Sequence, residues 1–330
     1  MTAPVLKVEN LTIRFNGVSV VEDVSFSLNA GETLAIVGES SSGKTVTALA
    51  LMRLLGNADI CEVTGRAFLL DTHGSLVDLL SLPEREMADL RGRAVSMIFQ
   101  EPMSSLNPVH TVGAQIAETL IRHKRLPRKA AMIETVALLE QVGIPEPGRR
   151  ASAYPHQLSG GMRQRVMIAI ALACRPSVLI ADEPTTALDV TIQAEILDLL
   201  RQLQKDTGMA MIFITHNLGI VAQIADRVMV MYSGQVVEEA PAASLLGRLS
   251  MPYTVGLMRS LPRLEAAFES ERRLTAIPGN VPDPRHRPSG CVFHPRCQHV
   301  LEPCKQHHPV LEQVAPAHLI RCSRWREITA

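Results

Sequence analysis

Aromatic side chains are scarce. Seven Phe, three Tyr and one Trp make up 3% of the 330 residues. A surface that stacks nucleic-acid bases needs exposed rings, so this composition argues against one. Charge of either sign in excess is also lacking, since 33 Lys plus Arg face 33 Asp plus Glu. Nothing electrostatic therefore favours DNA, RNA or anionic lipid as the main partner. Long apolar runs are missing: the longest, Val166 to Cys174, suits a buried helix and not a bilayer span, which needs about 20 residues. Met1 to Asn10 lacks a basic region followed by an apolar stretch, so no secretory signal is visible. The chain is expected to stay in the cytoplasm. Any membrane process it serves would require docking onto the transmembrane segments of other chains. No internal repeat is visible, which argues against a duplicated core.

Apolar residues make up 46% of the chain, enough for a large core. Val5–Val8, Leu11–Phe15 and Val24–Leu28 alternate in whole or part and read as strands. Thr33–Val37 is continuously apolar, as in a buried parallel strand, and runs through a Gly/Ser loop into a helix from about Thr45 to Leu55. A charged surface helix is expected over 83–93 and a strand over Val95–Phe99 ending at Gln100. Residues 112–142 read as helical, with a basic break at His123–Arg128. Pro145 and Pro147 mark a loop. A helix follows from near Gly160 to about Ala173, then a buried strand Ser177–Ala181. Leu188–Lys205 is amphipathic, with Ile192, Ile196, Leu199 and Leu203 on one face. Met211–Thr215 and Arg227–Met231 are further strands. Strands alternating with helices predict a parallel α/β core. From about Pro262 prolines crowd the sequence, which predicts an irregular appendage in place of more sheet.

Gly38-Glu39-Ser40-Ser41-Ser42-Gly43-Lys44-Thr45 fits the phosphate-loop pattern, after a buried strand and before a helix, the setting the pattern requires. Its inward N–H groups and the helix N-terminus would cradle phosphates. Lys44 would reach the β- and γ-phosphates and the Thr45 hydroxyl would ligate Mg²⁺. Val178–Ala181 is an apolar strand ending in Asp182 and Glu183. Carboxylates there are costly unless something wants negative charge. Mg²⁺ would supply that for Asp182, and Glu183 could polarise the attacking water as general base.

Leu158-Ser159-Gly160-Gly161-Met162-Arg163-Gln164-Arg165 resembles the signature sequence of ABC ATPases, in its place before the acidic strand. Other elements follow that family's order, and the resemblance covers about residues 5–260. It implies that Gln100 is the Q-loop glutamine at the Mg²⁺ site, Ala187-Leu188-Asp189 the D-loop and His216 the switch histidine, with Phe15 stacking on adenine. It also implies a P-loop α/β core with an N-terminal antiparallel β region, spanning 1–261 with a helical subdomain at about 101–165. Ser159, Gly160 and Gly161 would face the ATP of a second subunit, in a head-to-tail pair enclosing two nucleotides. The segments Gln100–Pro108, Tyr154–Gln157, Ile277–Gly279 and Cys291–Cys297 narrow the resemblance to the peptide/nickel import branch. Met103 and Met162 resemble its D-type subunits. Ser41 and Asn217 depart from that branch, where Gly and Asp are common. The implied function is ATP hydrolysis coupled to import of oligo- or dipeptides or a related small solute. The implied partners are an F-type ATP-binding subunit, two transmembrane permease subunits and a solute-binding protein. The implied location is peripheral, on the cytoplasmic face of the inner membrane. Nickel, glutathione or an opine stays open as cargo, because cargo does not touch this chain.

Cys291, Cys297, Cys304 and Cys322 fall in the 262–330 extension with spacing C-x5-C-x6-C-x17-C. In a reducing compartment such a cluster points to metal in preference to disulfides. Some importers similar to this one carry a [4Fe–4S] cluster here, which the resemblance makes the first expectation. Zinc, with His294 and His299 close by, is the second, and free thiols the third.

Overall fold

The computed structural model describes residues 3–56, 59–71, 74–101, 105–186, 188–247, 251–260 and 276–328. The chain divides into two compact units, one built from residues 1–6, 27–32 and 68–213, the other from 7–26, 33–67 and 214–330. The strands in chain order are β1 (Leu6–Phe15), β2 (Val18–Leu28), β3 (Thr33–Val37), β4 (Cys61–Leu70), β5 (Leu76–Asp78), β6 (Val95–Ile98), β7 (Val178–Asp182), β8 (Ala210–Thr215), β9 (Arg227–Tyr232), β10 (Gln235–Pro241), β11 (Glu312–Ala315) and β12 (His318–Ile320).

In the first unit, β6 and β7 pair in parallel from Val95↔Val178 to Ile98↔Ala181. Every residue of both strands is buried, as expected for a parallel sheet covered on both faces. The end of β4 pairs antiparallel with β5. The helix Val112–Lys124 starts at Thr111, whose side chain accepts from the Ala114 N–H, and buries Val112, Ile116 and Leu120 at four-residue spacing. It ends where Arg125 turns left-handed (φ 53°), and Pro127 starts the helix Arg128–Gln141. That is the physical content of the basic break. The expected loop at Pro147 is instead one helical turn, Pro147–Arg150, with Pro at a position that needs no N–H. The helix Val190–Thr207 buries Ile196, Leu197, Leu200 and Leu203. Ile192 and Leu199, assigned to the same face from spacing, are only half-buried. The packed stripe is rotated by about one residue.

In the second unit, β3 pairs in parallel with β9 from Leu34↔Arg227 to Val37↔Val230. Beyond β9 the pairing turns antiparallel, first to β10 and then to β12, with β11 against β12. Val37, Val230, Tyr232, Tyr253, Phe293 and Ile320 share one core. This overturns the expectation that the C-terminal extension adds no sheet: Glu238 pairs with Ile320 and Glu239 with Leu319. The prolines do not prevent it, because Pro316 falls in the turn between β11 and β12 and removes no ladder N–H. The added strand caps an edge, and Arg321 N–H continues the contact onto the Val237 carbonyl (2.8 Å). The strand β10 escaped sequence reading because two adjacent acids interrupt it. Both are buried and paired, Glu238 Oε1 with His318 Nε2 at 2.8 Å and Glu239 with Arg227 at 3.2 Å. Among the described residues, no helix is long and apolar enough to cross a membrane.

Candidate functional site

The strand β3 delivers the chain into the phosphate loop. Gly38 lies at φ +154°, and a Cβ there would stand 2.2 Å from the Met231 carbonyl oxygen, so only glycine fits. Gly43 (φ 94°) caps the helix Lys44–Leu51. Lys44 is buried at 6% exposure, and its Nζ donates to the carbonyls of Gly38 (2.8 Å) and Glu39 (2.9 Å). Gly234 N–H donates to the Ser42 carbonyl (3.1 Å), bracing the loop from the β9–β10 turn. Ser41, the residue that departs from the usual glycine, stands left-handed at φ 66°. That conformation favours glycine, so the departure carries backbone strain. Thr45 is half-buried in the first helical turn. Gly38, Glu39, Ser40 and Ser41 open on a cleft of about 630 Å³ that His216, just beyond β8, also lines. Its far wall is Gly279–Pro284 of the extension. Phe15 ends β1 and is half-buried.

In the other unit, β7 ends at Asp182, which is 1% exposed. Glu183 follows in a left-handed conformation (φ 46°), a strain that glutamate adopts only when its surroundings impose it. Its Oε2 accepts from Gln100 Nε2 (3.2 Å) and Thr186 Oγ1 (2.8 Å). The parallel register of β6 and β7 explains the first contact, since both strands end at one level and deliver Gln100 beside Glu183. Pro184-Thr185-Thr186 reads as a turn in the sequence, and Glu183 caps it: the Thr186 N–H closes the turn onto the Glu183 carbonyl (3.1 Å) while its hydroxyl meets the carboxylate.

Ser159 caps the helix Gly160–Leu172, its Oγ accepting from the Met162 N–H at 3.3 Å. Ser159 and Gly160 are exposed. Gly161 permits close approach, because a Cβ there would come within 2.8 Å of the Ile192 side chain. Asp189 is exposed and caps the helix Val190–Thr207 through the Ile192 N–H (2.9 Å). Asn217 likewise caps the helix Leu218–Ile224, so its amide does what an aspartate would do there. Met103 and Ala187 lie outside the described residues.

Cys291, Cys297, Cys304 and Cys322, with His294 and His299, line one small cavity. All four thiols are free, and the Cys291 N–H donates to the Cys304 carbonyl at 2.8 Å. Burial pushes the Cys291 and Cys297 thiols up and Cys322 to about 11. Among the described residues, no group of three or more His, Cys, Asp or Glu is arranged to hold a metal ion. The sequence expectation of a metal centre thus finds its residues around one cavity but not a coordination shell.

A strand-fed glycine loop ending in a buried lysine, and a second strand ending in an acid pair, define a P-loop nucleotide hydrolase. Residues 21–186 match the model of the ABC transporter family, and residues 237–304 match that of the oligopeptide/dipeptide transporter C-terminal region. A protein of Brucella abortus, named as a peptide import ATP-binding protein, is 51% identical over 99% of each chain. The oligopeptide transport ATP-binding protein of Haemophilus influenzae is 49% identical over 92% of each. Among solved structures, a dimeric post-hydrolysis ATP-binding cassette bound to ADP and Pi is similar at TM-score 0.62 and 26% identity, covering 72% of this chain and 98% of that one. The chain belongs to the ABC transporter family, as an ATP-binding subunit that hydrolyses ATP to drive transport.

Proposed function

We propose that this subunit powers the import of oligo- or dipeptides. The observation that carries this reading is the match of residues 237–304 to the oligopeptide/dipeptide transporter C-terminal region, beside full-length relatives named for peptide import. Labelled di- and tripeptide uptake by cells bearing the intact transporter tests it. Uptake should vanish when this chain carries Glu183→Gln. Unchanged peptide uptake, with loss of nickel or glutathione uptake, would reassign the cargo.

In this reading the phosphate loop, Gly38 to Thr45, grips ATP and Phe15 stacks on adenine. Thr45, Gln100 and Asp182 hold Mg²⁺. Glu183 polarises water, and His216 and Gln100 complete the site. Ser159, Gly160 and Gly161 reach a partner's nucleotide, and the Asp189 loop lies at that junction. The partners are an F-type ATP-binding chain, two permease subunits and a solute-binding protein, with this chain on the cytoplasmic face of the inner membrane. The ATPase core runs to 261, with its helical subdomain at about 101–165, and the extension begins at 262. Cys291, Cys297, Cys304 and Cys322 are the ligand type and number that a thiolate-held metal takes, with [4Fe–4S] ahead of zinc, although among the described residues they stand without a coordination shell. Such a centre would add a cross-link to a segment that already packs Phe293 and Ile320 into the core. Anaerobically purified protein should then be brown, absorb broadly near roughly 400 nm and hold about four irons. Colourless protein with stoichiometric zinc favours the second metal, and colourless metal-free protein that stays active ends the metal reading.

A further inference from the structure

Glu39 is the first variable residue of the phosphate loop, and its side chain does not point into solvent alone. It meets Arg296 of the C-terminal extension in a two-pronged ion pair, Nη1 to Oε2 at 2.6 Å and Nη2 to Oε1 at 2.9 Å. Arg296 is 4% exposed at its side chain, against 29% for Glu39. Its remaining donors are also used. Nε donates to the Pro278 carbonyl (2.9 Å), Nη2 to the Ile277 carbonyl (3.2 Å) and Nη1 to the Tyr232 hydroxyl (3.4 Å). The planar fork of arginine is matched on every edge, which a lysine could not reproduce. On the backbone side, the Glu39 N–H donates to the Tyr253 hydroxyl at 2.8 Å. The Glu39 carbonyl is one of the two that hold Lys44 Nζ. One residue therefore links Arg296, Tyr253 and the phosphate-binding lysine.

The other end of the same fork matters as much. Ile277 and Pro278 lead directly into Gly279–Pro284, the wall that faces the phosphate loop and His216 across the cleft. Arg296 thus ties the loop and the opposite wall to one buried guanidinium. A second arginine of the extension supports the same region, since Arg287 donates to the carbonyls of Ser19 (3.1 Å) and Ser233 (2.9 Å) and pairs with Glu22. Ser233 precedes Gly234, whose N–H braces Ser42.

We propose that Arg296 is a positioning residue for nucleotide: acting through Glu39 and through the Ile277–Pro278 carbonyls, it fixes the phosphate loop and the cleft wall, so that ATP affinity depends on the C-terminal extension. The pair is otherwise an unusual expense, because a buried arginine with a half-buried glutamate is costly to desolvate and adds little to stability by itself. Loop geometry is what it secures.

The test is MgATP binding to the full purified chain, measured by calorimetry, for Arg296→Lys, Glu39→Gln and the double variant. Each single change should weaken binding at least about tenfold, while the unfolding midpoint without nucleotide moves by only a few degrees. The double variant should be no weaker than the weaker single, because both remove one connection. In the assembled transporter, KM for ATP should rise more than kcat falls. A folded Arg296→Lys or Glu39→Gln protein with the parent's Kd overturns the proposal. Losses that multiply in the double variant overturn it too, since Glu39 would then act without Arg296. If one single variant fails to fold, the other decides. If neither folds, the pair holds the fold and not the loop, and the proposal fails.

Discussion

Glu183 and Ser41 both stand in the left-handed region, at φ 46° and 66°, and their strain has different meanings. At Glu183 it aims a carboxylate at Gln100 and Thr186. Glu183→Gln should lower steady-state hydrolysis in the assembled transporter by at least about a hundredfold. ATP binding should persist, because Lys44 and the loop N–H groups are untouched; nucleotide Kd and phosphate release, measured together, check this. At Ser41 no such contact explains the strain, and glycine relieves it. Ser41→Gly should therefore stabilise the protein by roughly 1 kcal/mol in urea unfolding. Gly38→Ala should do the reverse, by at least about 3 kcal/mol, since the Met231 carbonyl cannot move away without breaking the sheet. The loop glycines, Lys44 and the acid pair were legible as a pattern because local chain geometry alone demands them. Arg296 was not: it stood in a recognisable Cys-x5-Cys segment, but its partner lies 257 residues earlier.

Among the elements, periodicity identified the buried strands β3, β7, β8 and β9 to within a residue or two. It missed β10 because Glu238 and Glu239 look like surface residues until His318 and Arg227 are brought opposite them. It likewise took the stretch after Pro262 as sheet-free, because proline density says nothing about the proline-poor run that forms β11 and β12. The His318–Glu238 contact is the seam of that added sheet. Glu238 is 0% exposed, so His318→Ala should cost about 3 kcal/mol by stranding a buried carboxylate. His318→Ala with Glu238→Leu should recover much of that loss, because a well-packed apolar residue removes the unmatched charge. Urea denaturation of the two variants measures both effects. Recovery would also show that the pair fastens β12 to β10 without being needed for folding.

For the whole molecule, the exposed Ser159 and Gly160 at a helix N-terminus have a consequence for activity. The chain has its own phosphate loop, so in the proposed reading this second set of donors serves another subunit's nucleotide. The isolated chain should therefore hydrolyse ATP slowly and accelerate on assembly. Purified monomer that matches the full complex per site, with no dimer by light scattering, would contradict this. The sequence by itself determined the class of chemistry, because a glycine loop, a following helix and an acid-ended strand are contiguous patterns that local sterics and electrostatics make readable. It also determined the alternation of strands and helices, which hydrophobic spacing records directly. Only the tertiary structure decided which distant residues meet. Gln100 reaches Glu183 through the register of two parallel strands, and Arg296 reaches Glu39 through a C-terminal segment folded back onto the phosphate loop. Register and return path follow from burial summed over many residues, and no short stretch of sequence carries that sum.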